Sequence, residues 1–119
     1  MKDISLRADI ELLMQTFYDR LLKIEGMQPV FASINFEVHL PKIVDFWEFV
    51  VLDVEGYKTN VFDKHLNLPI KSPQFDEWLA VFTSTVDSLF AGEKADLIKQ
   101  RATVLAFTFK SKWQAIKEK

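Results

Sequence analysis

A histidine in an apolar segment is the first residue here whose type and setting could do chemistry. His65 stands in the stretch VFDKHLNLPI, residues 61–70. Pro69 and Pro73 keep any helix at this point short, because proline has no N–H for the helical ladder and disfavours helix at the residue before it. A neutral imidazole in a short, bounded apolar segment suits an axial ligand of haem iron. A core histidine bonded to a backbone carbonyl is the commoner role for such a residue, and His65 by itself does not decide between them.

Two further polar side chains lie on apolar faces of predicted helices. Tyr18 falls four residues after Met14, which places its ring at the edge of an apolar stripe with the hydroxyl directed inward. Trp78 follows closely on Ser72 and Pro73, a serine cap and first-turn proline that predict a helix start. A buried hydroxyl or indole N–H needs a partner. For Tyr18 the ordinary partner is a backbone carbonyl, whereas the Trp78 N–H must either reach solvent or bond a buried group.

His39, the other histidine, comes shortly before a long apolar stripe. It precedes Ile43 by four residues and Phe46 by seven, so in a helix it would point the same way as they do. Pro41, however, suits the first turn of a helix, and regular helix is then predicted from about Leu40. The pattern leaves open whether His39 belongs to the site or is an exposed residue at a helix start.

Composition excludes several classes of protein. The chain has 119 residues, which predicts a single domain over 1–119, and a net charge of −2 with no basic stripe argues against nucleic acid. The absence of cysteine excludes disulfides, Fe–S clusters, a thiolate-ligated haem and a covalently attached haem. Eleven Phe, three Trp and two Tyr beside only three Gly fit either a dense core or the lining of a large flat apolar ligand.

The N-terminal segment and the hydropathy pattern indicate where such a protein would work. The sequence MKDISLRADIELL mixes charges with apolar residues and does not have the pattern of a signal peptide. No apolar run approaches the roughly 18 residues that a membrane-spanning helix needs. We therefore expect a cytoplasmic protein that does not enter a membrane.

The periodicity of the apolar residues predicts an all-α fold. A first helix of about 18 residues is expected from a Ser5 cap, ending by Gly26, with a short helix from Pro29 to about Ala32 behind it. The second main helix runs to Gly56, the third starts at Ser72 and the last follows Gly92. Alternation with a period of two residues, which would indicate strands, is absent.

Six segments in order resemble group III truncated haemoglobins: TFYDRL, PVF, HLPKIVDFW, FDKHLNLP, FDEWLAVF and KQRATVLAF. The resemblance extends from about Ser5 to Phe109. It implies a truncated globin fold, a two-over-two helical sandwich around a single haem b. The connection from Phe31 to His39 is shorter than the family often has, and Phe36 stands where a tryptophan is common.

The resemblance also implies roles for individual residues. His65 corresponds to the proximal histidine that ligates the iron, and the distal polar residues correspond to Tyr18, His39 and Trp78. Lys42 stands where a basic residue pairs with a haem propionate. We expect the haem pocket to be lined by Phe31, Ile43, Phe46, Trp47 and Phe82.

A histidine-ligated, five-coordinate iron would bind O2, NO, CO or cyanide on the distal side, where hydrogen-bond donors decide the fate of the ligand. Tyr18 and Trp78 are the expected donors, while His39 could bond to the ligand, act as a gate or coordinate the iron. NO dioxygenation, peroxide chemistry and O2 binding all remain open, as does a reductase partner. The alternatives are a gas or redox sensor that acts through a partner protein, and an all-α interaction module with structural histidines. The sequence leaves the oligomeric state open, and a monomer is the simpler expectation.

Overall fold

The computed structural model describes residues 1–32, 34–53 and 72–117, and for residues 72, 73 and 112–117 it describes the backbone alone. These residues form four helices: α1 (Arg7–Leu21), α2 (Phe36–Leu52), α3 (Ser72–Leu89) and α4 (Glu93–Lys117). None of the described residues is in a strand. The predicted all-α class is therefore confirmed. No helix in these ranges is long and apolar enough to cross a membrane.

The helices pack as two pairs, one laid over the other. The α1–α2 pair and the α3–α4 pair each form by direct packing, and further contacts join α1 to α3 and α2 to α4. Their inward faces bury a continuous apolar core that includes Phe17, Trp47, Phe82 and Ile98. On the rim of this core, the Arg20 guanidinium donates hydrogen bonds to the hydroxyls of Thr85 and Ser88, which ties α1 to α3.

Helix α1 is capped differently from the prediction. Its N-cap is Leu6, and Asp9 reaches back to accept hydrogen bonds from the backbone N–H groups of Ser5 and Leu6 at 2.9 and 3.0 Å. The predicted Ser5 cap is therefore wrong: Asp9 in the first turn binds the two N–H groups that precede the helix. The helix then ends at Leu21, well before Gly26, and turns occupy 22–32 in place of the short helix predicted from Pro29.

Helix α2 begins earlier than Pro41 suggested. The Asn35 side chain accepts a hydrogen bond from Glu37 N–H at 3.1 Å and caps the helix, which starts at Phe36. Pro41 is the sixth residue, where its missing N–H removes one bond of the ladder without ending the helix. His39 therefore lies inside the helix. The helix ends at Leu52 with Asp53 in a left-handed conformation, so the predicted stop at Gly56 is wrong.

The junction of α3 and α4 is held by the N-terminal segment. Gly92 separates the two helices, as predicted, and has a φ of 140°. The Asp3 carboxylate accepts hydrogen bonds from the backbone N–H groups of Lys94 and Ala95 at 2.9 and 2.8 Å, so it caps α4 from outside that helix. The first residues of the chain thus fix where the last helix begins.

Candidate functional site

Two of the predicted distal residues meet around a shared aromatic ring. Tyr18 extends from α1 and Trp78 from α3, and the ring of Phe17 contacts both, at centroid distances of 4.8 and 5.6 Å. Phe17 is 1% exposed and also packs on Phe82 at 5.1 Å. The contact between α1 and α3 therefore brings two hydrogen-bond donors into one apolar cluster.

Trp78 carries an unsatisfied donor. Its side chain is 6% exposed, and within residues 1–32, 34–53 and 72–117 no acceptor bonds its indole Nε1. The ring itself is fixed, because it stacks on Phe82 with centroids 5.5 Å apart and an angle of 17° between the planes. A buried N–H without an acceptor costs about 1–3 kcal/mol of desolvation. An acceptor delivered by a bound molecule would recover that cost.

Tyr18 is buried as a neutral phenol. Desolvation raises the pKa of its hydroxyl well above the ordinary value of 10.0, so the proton stays on the oxygen throughout the physiological pH range. Its ring is held by Phe31 at 5.9 Å and by Phe36 at 5.1 Å. A protonated, orientationally fixed phenol can donate a hydrogen bond to an anionic or partly charged ligand atom.

Helix α2 supplies the apolar side of the cluster. Ile43 and Trp47 are buried, and Phe46 is half-buried against Trp47 at 5.1 Å. Trp47 in turn contacts Phe82 of α3 at 5.3 Å. Together with Phe31, these are the five residues predicted to line the pocket, and the described structure places all five in or against one aromatic core.

Of the remaining predicted site residues, two lie on α2 and one is outside the described residues. His39 is half-buried on α2, one turn before Ile43, and Lys42 is exposed on the same helix. His65 lies outside the described residues, so its predicted role as iron ligand stays a prediction.

Sequence reasoning missed the central position of Phe17. The apolar period of the first helix places Phe17 on its buried face, but it does not show that this ring contacts both donors and Phe82. The available signal was its place beside Tyr18: adjacent helical residues point about 100° apart, so one of them can face α3 while the other faces α2. Phe36, which stands where the family often has a tryptophan, packs directly on Tyr18.

Comparison with known proteins supports the same conclusion as the fold. The group 3 truncated hemoglobin ctb of Campylobacter jejuni is 29% identical in an alignment of 112 residues, and the match covers 88% of this chain and 88% of that protein. The crystal structure of a group III truncated hemoglobin from Campylobacter jejuni superposes with a TM-score of 0.83 at 27% identity, covering 95% of both chains. No family model matches the sequence.

The two-over-two helical arrangement is therefore that of a truncated globin, and the chain is similar in sequence and in structure to these two proteins. Both proteins are described as group III truncated haemoglobins, so the resemblance seen in the sequence motifs is confirmed.

Proposed function

We propose that the protein is a haem-binding truncated haemoglobin that binds O2 and related diatomic ligands (NO, CO and cyanide) with His65 proximal and Tyr18, Trp78 and His39 distal. The observation that supports this most directly is the buried Trp78 Nε1–H, which has no acceptor among the described residues. It lies in a cluster with a neutral, buried tyrosine. Two donors without competing charge suit a diatomic ligand that accepts hydrogen bonds.

The residues present fit a haem b group. Cysteine is absent, so a thiolate cannot hold the iron, and the chain's two histidines, His39 and His65, carry the imidazoles that could hold it. Haem iron, when held by one imidazole, supplies an open coordination position for a small ligand. The aromatic and aliphatic side chains of Phe31, Ile43 and Trp47 would pack against the flat apolar macrocycle. The exposed Lys42 ammonium would remain in water, where it can pair with a propionate.

The chain's own residues would then perform three tasks. Trp78 and Tyr18 would donate hydrogen bonds to the outer atom of the ligand, which stabilises partial negative charge there. The rings of Phe17 and Phe82 would fix the direction of the donors and exclude water. His39, one turn before Ile43, is placed on the helix whose inward face lines the cluster, where it can donate to the ligand or gate its entry.

The first experiment tests haem ligation by substitution of each histidine. We expect His65→Ala to retain haem poorly or to give a form that added imidazole restores, because no other predicted proximal ligand exists. His39→Ala removes the other imidazole, from the proposed distal side, and should retain haem with the wild-type affinity. A His65→Ala variant with a wild-type five-coordinate ferrous spectrum would refute the proximal assignment.

The second experiment tests the distal residue that carries the proposal. Trp78→Phe removes the N–H and keeps an aromatic ring, and we expect O2 dissociation in stopped flow to change by the equivalent of about 1.5–3 kcal/mol. Trp113→Phe makes the same chemical change outside the predicted site and should leave the rate as it is. NO turnover of the oxygenated form then separates a dioxygenase from a sensor, since a sensor need not turn over.

A further inference from the structure

The outer surface between α1 and α2 contains a groove that the haem site does not use. It has a volume of about 410 Å³, and none of the predicted distal residues lines it. Its apolar floor comes from α2: Phe36, Leu40, Pro41 and Val44. The volume lies within the range of sites that bind small molecules, roughly 300–1,000 Å³. We call this feature the α1–α2 groove.

The polar rim of the groove is negative. Glu11 and Gln15 of α1 stand on one side and Glu37 of α2 on the other. In the described part of the chain, neither glutamate forms an ion pair. Arg7, the cation that ties these two helices together, is already engaged by Asp45 and Glu48 at 2.7 and 2.9 Å. Two carboxylates therefore face an apolar floor with their charges uncompensated.

Pro41 leaves one backbone carbonyl beside the groove without its usual helical donor. Because proline has no N–H, it cannot bond the carbonyl of the residue four positions earlier, which is Glu37. Residues 37 and 41 both line the groove, so the side of α2 that lacks this ladder bond is turned toward it. A hydrogen-bond donor in the groove could use that carbonyl as well as the carboxylates.

We propose that the α1–α2 groove binds a small organic cation: a protonated amine carried on an apolar body. The ammonium group would lie between Glu11 and Glu37, where its three N–H donors match carboxylate and carbonyl acceptors. The apolar body would cover the half-buried Phe36 and Leu40 and the ring of Pro41. An anion would meet two like charges, and a neutral molecule would lose the charged contacts.

Phe36 links the groove to the aromatic cluster. Phe36 belongs to the floor of the groove, and its ring also packs on Tyr18 at 5.1 Å. An occupant that moves Phe36 would therefore change the surroundings of Tyr18. Any effect on bound gas rests on the function proposed above, whereas binding of the amine does not.

The test is a titration of the full-length, isotope-labelled protein followed by NMR, with 2-phenylethylammonium as the probe. We expect shifts at Glu11, Glu37 and Leu40 with a dissociation constant on the order of 1 mM, typical of so small a ligand. 2-Phenylethanol, which lacks the charge, and ethylammonium, which lacks the apolar body, should each bind at least about fivefold more weakly. Equal affinity of the alcohol, or no shift in the groove, would overturn the proposal.

A charge-removing variant makes the test specific to this groove. The double substitution Glu11→Gln and Glu37→Gln should raise the dissociation constant of the probe roughly tenfold, since two ion pairs are lost. Glu25→Gln removes one exposed carboxylate elsewhere and should leave the affinity unchanged. An unchanged affinity in the double variant would refute the site. If the probe binds as expected and His65→Ala still holds haem normally, amine binding in the groove is supported and the assignment of His65 as iron ligand is contradicted.

Discussion

At the scale of single residues, Tyr18 and Trp78 differ from ordinary core aromatics in what their polar atoms do. Trp78 Nε1–H is buried without an acceptor among the described residues, and burial keeps the Tyr18 phenol protonated by raising its pKa. Periodicity predicted that both would point inward, and the structure confirms their burial. Periodicity could not show that the Phe17 ring contacts both side chains, because that contact depends on how α1 crosses α3.

This geometry predicts that the two donors act as a coupled pair. Tyr18→Phe should change O2 dissociation by the equivalent of about 1.5–3 kcal/mol. The rate rises if Tyr18 donates directly, and falls if Tyr18 mainly restrains Trp78. Because the same Phe17 ring touches both side chains, the effect of the double variant with Trp78→Phe should differ from the sum of the single effects.

Stopped-flow O2 dissociation from the four proteins of this cycle measures the coupling. Tyr57→Phe is the control, since it changes the chain's other tyrosine. Strict additivity would show that the two donors are independent. If neither single variant shifts the rate beyond about twofold, near 0.4 kcal/mol, the distal site is assigned to the wrong residues.

The lowered pKa of Asp9 predicts how the stability of the protein changes in acid. Burial raises the pKa of its carboxyl, but the Lys2 ammonium and the N–H groups of Ser5 and Leu6 outweigh this and lower the pKa from 3.8 to about 2. A depressed pKa in the folded state stabilises the protein above the unfolded value, and that stability is lost as the pH falls from about 4 to 2. Since Lys2 is largely exposed and its charge is screened, we expect a contribution on the order of 1 kcal/mol.

Asp9→Asn should therefore lower the free energy of unfolding by about 1 kcal/mol at pH 7, and the difference from wild type should vanish near pH 2. Urea unfolding across this pH range is the measurement. Asp19→Asn, at an exposed position of the same helix, should show little difference at any pH. A pH-independent deficit in Asp9→Asn would assign the effect to packing and not to charge.

At the scale of helices, the sequence predicted the interiors better than the ends. Three- and four-residue spacing located all four helices, because apolar burial acts along their whole length. The ends depend on single polar atoms, and these came from other positions than expected: Asp9 for α1, Asn35 for α2 and Asp3 for α4. Asp3 is about ninety residues from the helix that it caps, so no local pattern could reveal it.

Gly92 offers a test of that distant cap. Its φ of 140° is a conformation that side-chain-bearing residues rarely adopt, and an added Cβ would come within 2.5 Å of Asp3 Cγ. Gly92→Ala should therefore destabilise the protein by about 1–3 kcal/mol, because it both strains the backbone and displaces the capping carboxylate. Thermal or urea unfolding measures the change.

Gly26→Ala is the matched control for this substitution. A Cβ at Gly26 would meet no atom within 4 Å, so the variant should be neutral or slightly more stable through reduced freedom of the unfolded chain. Similar losses in both variants would show that the contact between Gly92 and Asp3 has no special role.

At the scale of the whole molecule, the two helix pairs enclose an aromatic core to which α1, α2, α3 and the 22–32 turns all contribute. The sequence could predict this fold from apolar periodicity and from its resemblance to a family. It could not predict the relative placement of the donors, since that depends on the crossing of helices far apart in the chain. His65 lies outside the described residues, so its role as iron ligand stays a prediction.

The core predicts that haem contributes to stability. We expect the macrocycle to pack against five apolar side chains: Phe31, Ile43, Phe46, Trp47 and Phe82. Apolar contact is worth roughly 25 cal/mol per Å² of buried surface. A ligand that binds only the folded state stabilises it by RT ln(1 + [L]/Kd), about 4 kcal/mol when the ligand exceeds its dissociation constant a thousandfold. The haem-loaded protein should therefore melt well above the apoprotein in calorimetry.

Iron-free protoporphyrin IX should give a smaller rise, because it fills the pocket without ligating His65. Equal melting temperatures with and without haem would contradict a haem-filled core.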